Sequence, residues 1–282
     1  VHVDGSSSAD TFDVAATGAI SALLGGLISA PIILPTGVEN AELDGQEGDD
    51  LFTAELIGLA LEAIRILGGD PSSDDSVILN QSANAAADTT TVQPLLSEPA
   101  GSARVTAAGT TVDLISTEFL RFNSADGLND ALRILGTSGD EQIEIDSANN
   151  AIRVAMENLL VSNLVVLPTT EASGFGQVEV DAGDGTDHFR AALENLPTGV
   201  LRALGGGGND TFEAVGTGNN DDLQVHPGGA QAEVDVANFL KATLEAMEVV
   251  RAVLGDGDDT LTVDPIDNLP VLLDGGSPEN SD

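Results

Sequence analysis

A nine-residue pattern that returns along this chain restricts its fold more than any other feature. A repeat that supplies only a turn and a short apolar anchor cannot close a core alone and must stack on its neighbours. The fullest copy is GGGGNDTFE, Gly205 to Glu213, which reads glycine, glycine, any, glycine, any, Asp, any, large apolar, any. LGDGDDTLT from Leu254 and AGDGTDHFR from Ala182 lack only the first glycine. GQEGDDLFT from Gly45, GSSSADTFD from Gly5 and GTGNNDDLQ from Gly216 keep the Asp and the apolar position after it. GTSGDEQIE from Gly136 has Glu141 in place of Asp. DPSSDDSVI from Asp70 and ADGLNDALR from Ala125 are looser, and the tail from Gly275 keeps only two glycines.

In this frame the apolar position is Phe12, Phe52, Val77, Leu132, Ile143, Phe189, Phe212, Leu223 and Leu261. Four of the eight phenylalanines of the chain fall on it, which marks it as the place where each copy turns inward to fill a core.

Loops that open at 136, 182, 205, 216, 254 and 275 are separated by 46, 23, 11, 38 and 21 residues. Corresponding loops lie 70 to 80 residues apart, so a compound unit appears twice. Arg-x-Leu-Gly recurs at Arg65 to Gly68, Arg133 to Gly136 and Arg202 to Gly205, with Arg251 to Gly255 one residue longer. Steps of 21 and 23 residues suit one coil of a three-sided solenoid, so such loops should stack on one edge, while loops 11 apart should face different edges. Alternating tracts such as Val178 to Asp181, Ala232 to Val236 and Leu261 to Asp264 supply the strands. Ala54 to Leu67 and Val236 to Leu254 have Ala, Leu and Glu at nearly helical spacing. Their place in the repeat favours strand, with helix as the alternative. Gln81 to Gly101, rich in Ala, Thr, Ser and Pro, is the expected irregular insertion.

The fold expected is therefore all-β: a right-handed parallel β-solenoid forming one continuous domain over 1–282. Degenerate units span about 1–69 and 70–135, and clearer ones 136–215 and 216–282. Composition agrees, because 41% hydrophobic residues with only 3% aromatics, no Trp and no Tyr suit a thin core of Val, Leu, Ile and Ala. Asp and Glu number 47 against 9 Lys and Arg, a formal charge of -38. Compaction then requires acids spread over a solvated surface or neutralised by bound cations, and nucleic acid and anionic membranes are poor partners. The absence of Cys excludes disulfides, thiolate metal sites and thiol nucleophiles. With no run of 18 apolar residues and no signal peptide ahead of Val1, the sequence reads as a mature or excised piece.

Calcium takes six to eight oxygens, at about 2.3–2.6 Å, from carboxylates and main-chain carbonyls. Glycines let a loop curl so that its carbonyls converge, and an Asp supplies charge. One nonapeptide offers part of such a shell, and the loop stacked on it must offer the rest, which couples metal binding to stacking. Metal-free Gly-Asx turns that merely reverse the chain are the plain alternative, above all for the degenerate loops.

These loops resemble those of the RTX, or haemolysin-type calcium-binding, repeats, most closely from Ala182 to Thr262. Family members form parallel β-rolls outside the cell that calcium orders after secretion. The resemblance implies Ca2+ held by Asp187 with Gly183 and Gly185, by Asp210 with Gly205, Gly206 and Gly208, and by Asp259 with Gly255 and Gly257. Weaker matches add Asp10, Asp50 and Asp221. Family repeats follow every nine residues, whereas irregular tracts separate these. A broader β-helix with isolated sites, as in the divergent repeats of giant bacterial surface proteins, therefore fits better than a tight roll.

Other chemistry has little support. His2, His188 and His226 have no metal-pair spacing, and the glycines at Gly205 lack the lysine of a phosphate cradle. The expected role is a non-enzymatic structural module of a secreted or cell-surface bacterial protein: adhesin stalk, surface-layer component or extracellular filament. It would associate end to end or within a surface lattice, without membrane insertion. The alternatives are a β-helical body or accessory module of a polysaccharide-modifying enzyme, with polysaccharide as partner, and a calcium-dependent folding module of a toxin. With Lys241 the single lysine and no Trp or Tyr, sugar stacking is poorly provided for.

Overall fold

The computed structural model describes residues 1–28, 38–56, 58–69, 74–81, 87–124, 130–148, 151–158, 164–165, 169–193, 196–197 and 199–275. The chain is all-β, with no helix among the described residues. Its strands gather into two compact units, Val1–Arg133 with Leu164–Gly176, and Ile134–Asn163 with Gln177–Asp282. In each unit they belong to two mixed sheets with parallel and antiparallel neighbours.

In the first unit one sheet places His2–Ser6, Asn40–Gln46, Ala63–Leu67 and Thr110–Ile115 side by side in parallel. The other does the same with Thr11–Val14, Leu51–Glu55, Ser76–Gln81 and Phe119–Ser124. Sequence order alternates between the two, so the chain leaves one sheet, passes through a motif loop and enters the other. The second unit repeats the scheme, with Gln177–Gly185, Leu201–Leu204 and Phe239–Glu245 in one sheet. Its other sheet holds Glu141–Ala148, His188–Ala192, Thr211–Val215, Val249–Val253 and Val271–Asp274.

Burial alternates with period two along these strands, as a pleated chain with one apolar face requires. The motif's apolar residues form inward rows across neighbouring strands, each row extended by one residue outside the recognised motif: Phe12, Phe52 and Val77 with Leu120 in one unit, Ile143, Phe189 and Phe212 with Val250 in the other. All eight are buried. The rings of Phe12 and Phe52 stack at 4.9 Å between centroids. Each such side chain contributes about 1.5–3 kcal/mol by leaving water.

Loops 205 and 216, 11 residues apart, lead into different sheets, since Phe212 pairs with Phe189 and Leu223 with Leu261. The described residues of both tracts with helical spacing form strands and turns, with no helix. Leu51–Glu55 and Ala63–Leu67 lie at the first, and Gln231–Val236, Phe239–Glu245 and Val249–Val253 at the second. The expected irregular insertion is corrected in part. Residues 82–86 lie outside the described ones, but Thr89–Pro94 is a strand, because Thr90 and Val92 alternate inward. It opens an antiparallel meander with Ala103–Ala107 and Thr110–Ile115. Asp222–Gly228, Gln231–Val236 and Phe239–Glu245 form its counterpart. Both meanders turn on two left-handed residues, Ala108–Gly109 and Ala237–Asn238, the arrangement that matches strand twist in a two-residue hairpin. The copies from Asp70 and Ala125 open outside the described residues, as does the tail after Gly275.

On the outward face the arginines stand between carboxylates of adjacent strands. Arg190 meets Glu144 and Glu213 at 3.2 Å, and Arg251 meets Glu213 at 3.2 Å and Asp274 at 2.9 Å. Arg202 of the Arg-x-Leu-Gly signature bridges Glu179 and Glu245. A one-residue slip would break every such pair, so these rows help fix register. Glu213 is the buried centre of one row, with a side chain only 9% exposed. Glu213→Ala should cost about 1–3 kcal/mol in urea unfolding, as two guanidiniums lose a shared partner. Glu144→Ala, at the open end, should cost less than about 1 kcal/mol.

Candidate functional site

The motif acids meet in ladders. Just before parallel strands of the second sheet, the backbone N–H of one motif acid donates to the carboxylate of the acid in the next loop. In the first unit Asp10 donates to Asp50 at 2.7 Å, Asp50 to Asp75 at 2.9 Å, and Asp75 to Glu118 at 2.9 Å. In the second, Glu141 donates to Asp187 at 2.8 Å, Asp187 to Asp210 at 2.9 Å, and Asp210 to Glu248 at 2.7 Å. Two shorter ladders precede strands of the other sheet, Asp88 to Asp130 at 3.1 Å and Asp221 to Asp259 at 2.8 Å.

The sequence folds this way because the loops are nearly side-chain-free where they touch. Gly206 sits at φ 92° with its α-carbon against the carbonyl of Gly183, and Gly183 rests likewise on Thr137. A second line of polar side chains, one residue before each motif acid, runs the opposite way: Thr186 N–H donates to Asp140 at 2.8 Å and Asp258 N–H to Asn220 at 3.0 Å. A bond from N–H to an ionised carboxylate contributes about 1.5–3 kcal/mol, so stacking and acidity are coupled.

Asp10, Asp50, Asp75, Asp130, Glu141, Asp187 and Asp210 are buried. In Asp50, Asp187, Asp210 and Asp259 one carboxylate oxygen accepts the ladder bond and the other is hidden without a hydrogen-bond partner, while Glu141 accepts the Thr137 hydroxyl on one oxygen and has the other orphaned. Such an oxygen is costly as a bare anion. Burial, and then the neighbouring Asp75 and Asp10, push the Asp50 carboxyl up to about 7. Burial does the same to Glu118, also to about 7, and raises Glu141, Asp187 and Asp210 above their ordinary values. The group demands a positive charge, and either a proton or a cation can supply it.

The oxygens present fit a hard cation. A Cβ on Gly45 would overlap both the orphaned oxygen of Asp50 and the carbonyl of Gly68 in the next loop. At Gly205 the same holds for Asp210 and the carbonyl of Ala246. Each missing methyl marks a pocket where a carboxylate and a main-chain carbonyl converge, an all-oxygen donor set of the kind calcium takes.

Asp187 and Asp210 are thus consecutive members of one ladder, with Gly183 and Gly185 of one loop against Gly206 and Gly208 of the next. Asp50 follows Asp10, and Asp259 follows Asp221 with Gly255 against Thr217. Gly205 packs on the carbonyl of Ala246 and Gly257 on that of Asn219. Asp75, Asp130 and Glu141 belong to the ladders although only their frame was recognised in sequence. Glu118 and Glu248 were missed altogether. Their one signal is an acid two residues ahead of a buried apolar position, Leu120 or Val250, where Asp precedes it elsewhere.

Among the described residues, three metal-binding side chains bring their ligand atoms together in one place, His2, Asp4 and Asp44, which is largely exposed and contains no ladder acid. His2 bonds Asp4 at 2.5 Å, and that bond raises its pKa. Open acidic groups of this kind are common without an ion. His226 bonds Asp235 at 3.0 Å, and His188 bonds Gln142 at 3.0 Å. Compared with family models, curated proteins and solved structures, the chain matches none.

Proposed function

We propose that the chain is a calcium-binding structural module, a right-handed β-solenoid of RTX-like character that serves in a secreted or cell-surface bacterial protein. One observation carries the reading: buried motif carboxylates pile loop upon loop, and in Asp50, Asp187, Asp210 and Asp259 one oxygen has no hydrogen-bond partner. Sequence order that alternates between two sheets of parallel neighbours supports the solenoid. Calcium would be held by Asp50, Asp187, Asp210 and Asp259 with main-chain carbonyls of adjacent loops, and would act as mortar between coils, not as a catalyst. The extracellular setting follows from the repeat resemblance alone. Exposed apolar side chains at Val263, Leu272 and Leu273 give such a module a surface for self-association.

Circular dichroism and light scattering, first with chelator and then with excess calcium, test this. Calcium should increase the β signal, and growth in particle mass would mark a filament or lattice. Identical spectra in both conditions would remove the calcium reading.

A further inference from the structure

We infer that the motif loops are of two kinds, and that divalent cations enter only those whose motif Asp has an orphaned oxygen. The inference rests on the calcium reading above and sorts its residues.

The position that separates the two kinds lies four residues before the acid. Ahead of Asp10 it is Ser6, whose N–H donates to one carboxylate oxygen at 2.5 Å and whose hydroxyl donates to the other at 3.0 Å. Gly25 N–H adds a third bond to Asp10 at 2.6 Å. Ahead of Asp221 it is Thr217, whose N–H donates at 2.6 Å and whose hydroxyl lies 3.2 Å from both oxygens. Asp130 is closed in a related way by the Ser124 hydroxyl at 2.7 Å. These carboxylates have every oxygen engaged, so a cation there would first have to displace hydrogen bonds.

Ahead of Asp50, Asp187, Asp210 and Asp259 the same position is Gln46, Gly183, Gly206 and Gly255, with φ of 73°, 101°, 92° and 90°. Left-handed backbone at this point coincides each time with a second carboxylate oxygen that is buried and has no partner. Three of the four acids, Asp50, Asp187 and Asp210, are themselves no more than 1% exposed. A hydroxyl-bearing residue thus closes a loop by hydrogen bonds, and a left-handed residue leaves it open to an ion. The pocket left by a missing Cβ occurs in both kinds, at Gly5 and Gly216 as at Gly45 and Gly205, so space alone does not discriminate. Glu141 belongs to neither kind, because it accepts the Thr137 hydroxyl and still has one orphaned oxygen.

Sequence resemblance ranks the loops differently, since it counts Asp10 and Asp221 with Asp50. Equilibrium dialysis with calcium on the full chain separates the two rankings. Asp187→Asn and Asp210→Asn should each lower the number of ions bound per chain by at least one. Asp221→Asn should leave the number unchanged. Equal losses from Asp221→Asn and Asp210→Asn would overturn the sorting, while no calcium on the unaltered protein would remove the calcium reading itself. Should a variant fail to fold, hydrogen exchange on the unaltered protein decides. Calcium should slow exchange about tenfold in 183–187 and 206–210, and about twofold or less in 6–10. Equal slowing in all three loops would sink the proposal.

Discussion

Freed of metal by dialysis, the protein should be more stable at pH 5 than at pH 8, the reverse of ordinary acid denaturation. The carboxyls of Asp50 and Glu118 are pushed up to about 7, and burial also raises Glu141, Asp187 and Asp210. In the unfolded chain the same groups release their protons near pH 4. Between about pH 4 and 7 the folded state therefore binds more protons than the unfolded one, and stability falls as pH rises. The stabilisation is fully present below the unfolded values and is lost as pH climbs through the folded ones. A net charge of -38 acts in the same direction, because protonation relieves self-repulsion.

Calcium should flatten this slope. An ion that takes the orphaned oxygens replaces the proton, so its benefit is greatest at pH 8, where protons are scarce. Each independent site occupied at a hundred times its Kd adds about 2.7 kcal/mol. Thermal unfolding followed by circular dichroism at pH 5, 6, 7 and 8, with and without calcium, gives both curves. A metal-free protein whose melting temperature is flat or rises with pH would show that the ladder carboxylates are not held protonated. A calcium effect that does not grow with pH would show that metal and proton do not compete for them.

Much of this arrangement could be read from residue order alone, and the part that could not has identifiable causes. Phe12, Phe52, Phe189 and Phe212 were legible as inward anchors because each follows an Asp by two residues, and all four are fully buried. The 23-residue step from loop 182 to loop 205 was legible as stacking for the same reason. Glu118 and Glu248 were not, since the residues that turn the chain ahead of them are Ser116 and Ala246, at φ 51° and 54°. A non-glycine in the left-handed region leaves no mark in sequence, and the longer Glu side chain reaches the preceding loop from a different frame. The meanders at Thr89–Ile115 and Asp222–Glu245 were hidden because antiparallel strands within a parallel stack share its period of two. Helical spacing in Val236 to Leu254 kept helix open as the alternative, but the strand that its place in the repeat favoured is what forms. Parallel pairing with Leu201–Leu204 and Thr211–Val215 outweighs propensities worth a few tenths of a kcal/mol per residue.

Gly206→Ala should remove most of the stability of the second unit's loop stack, while Gly218→Ala should change almost nothing. The two glycines lie in neighbouring motif loops but face opposite conditions. A methyl on Gly206 would fall inside the carbonyl of Gly183, with that residue's own carbon also within 3 Å, and the backbone at φ 92° is strained for any L side chain. A methyl on Gly218 meets nothing within 4 Å, and its φ is not in the left-handed region. Backbone strain alone costs about 1–3 kcal/mol. Relieving the overlap means parting loop 205 from loop 182, which also stretches the Asp187 N–H bond to Asp210, worth about 1.5–3 kcal/mol. The sum is about 2.5–6 kcal/mol, a large fraction of what holds a domain folded. Gly218→Ala should stay within about 0.5 kcal/mol of the unaltered protein. Urea unfolding of metal-free protein is the measurement, because loss of an ion cannot then imitate loss of stacking. If Gly206→Ala unfolds at the same urea concentration as Gly218→Ala, the loops do not bear on one another and the ladders cannot be what joins the strands.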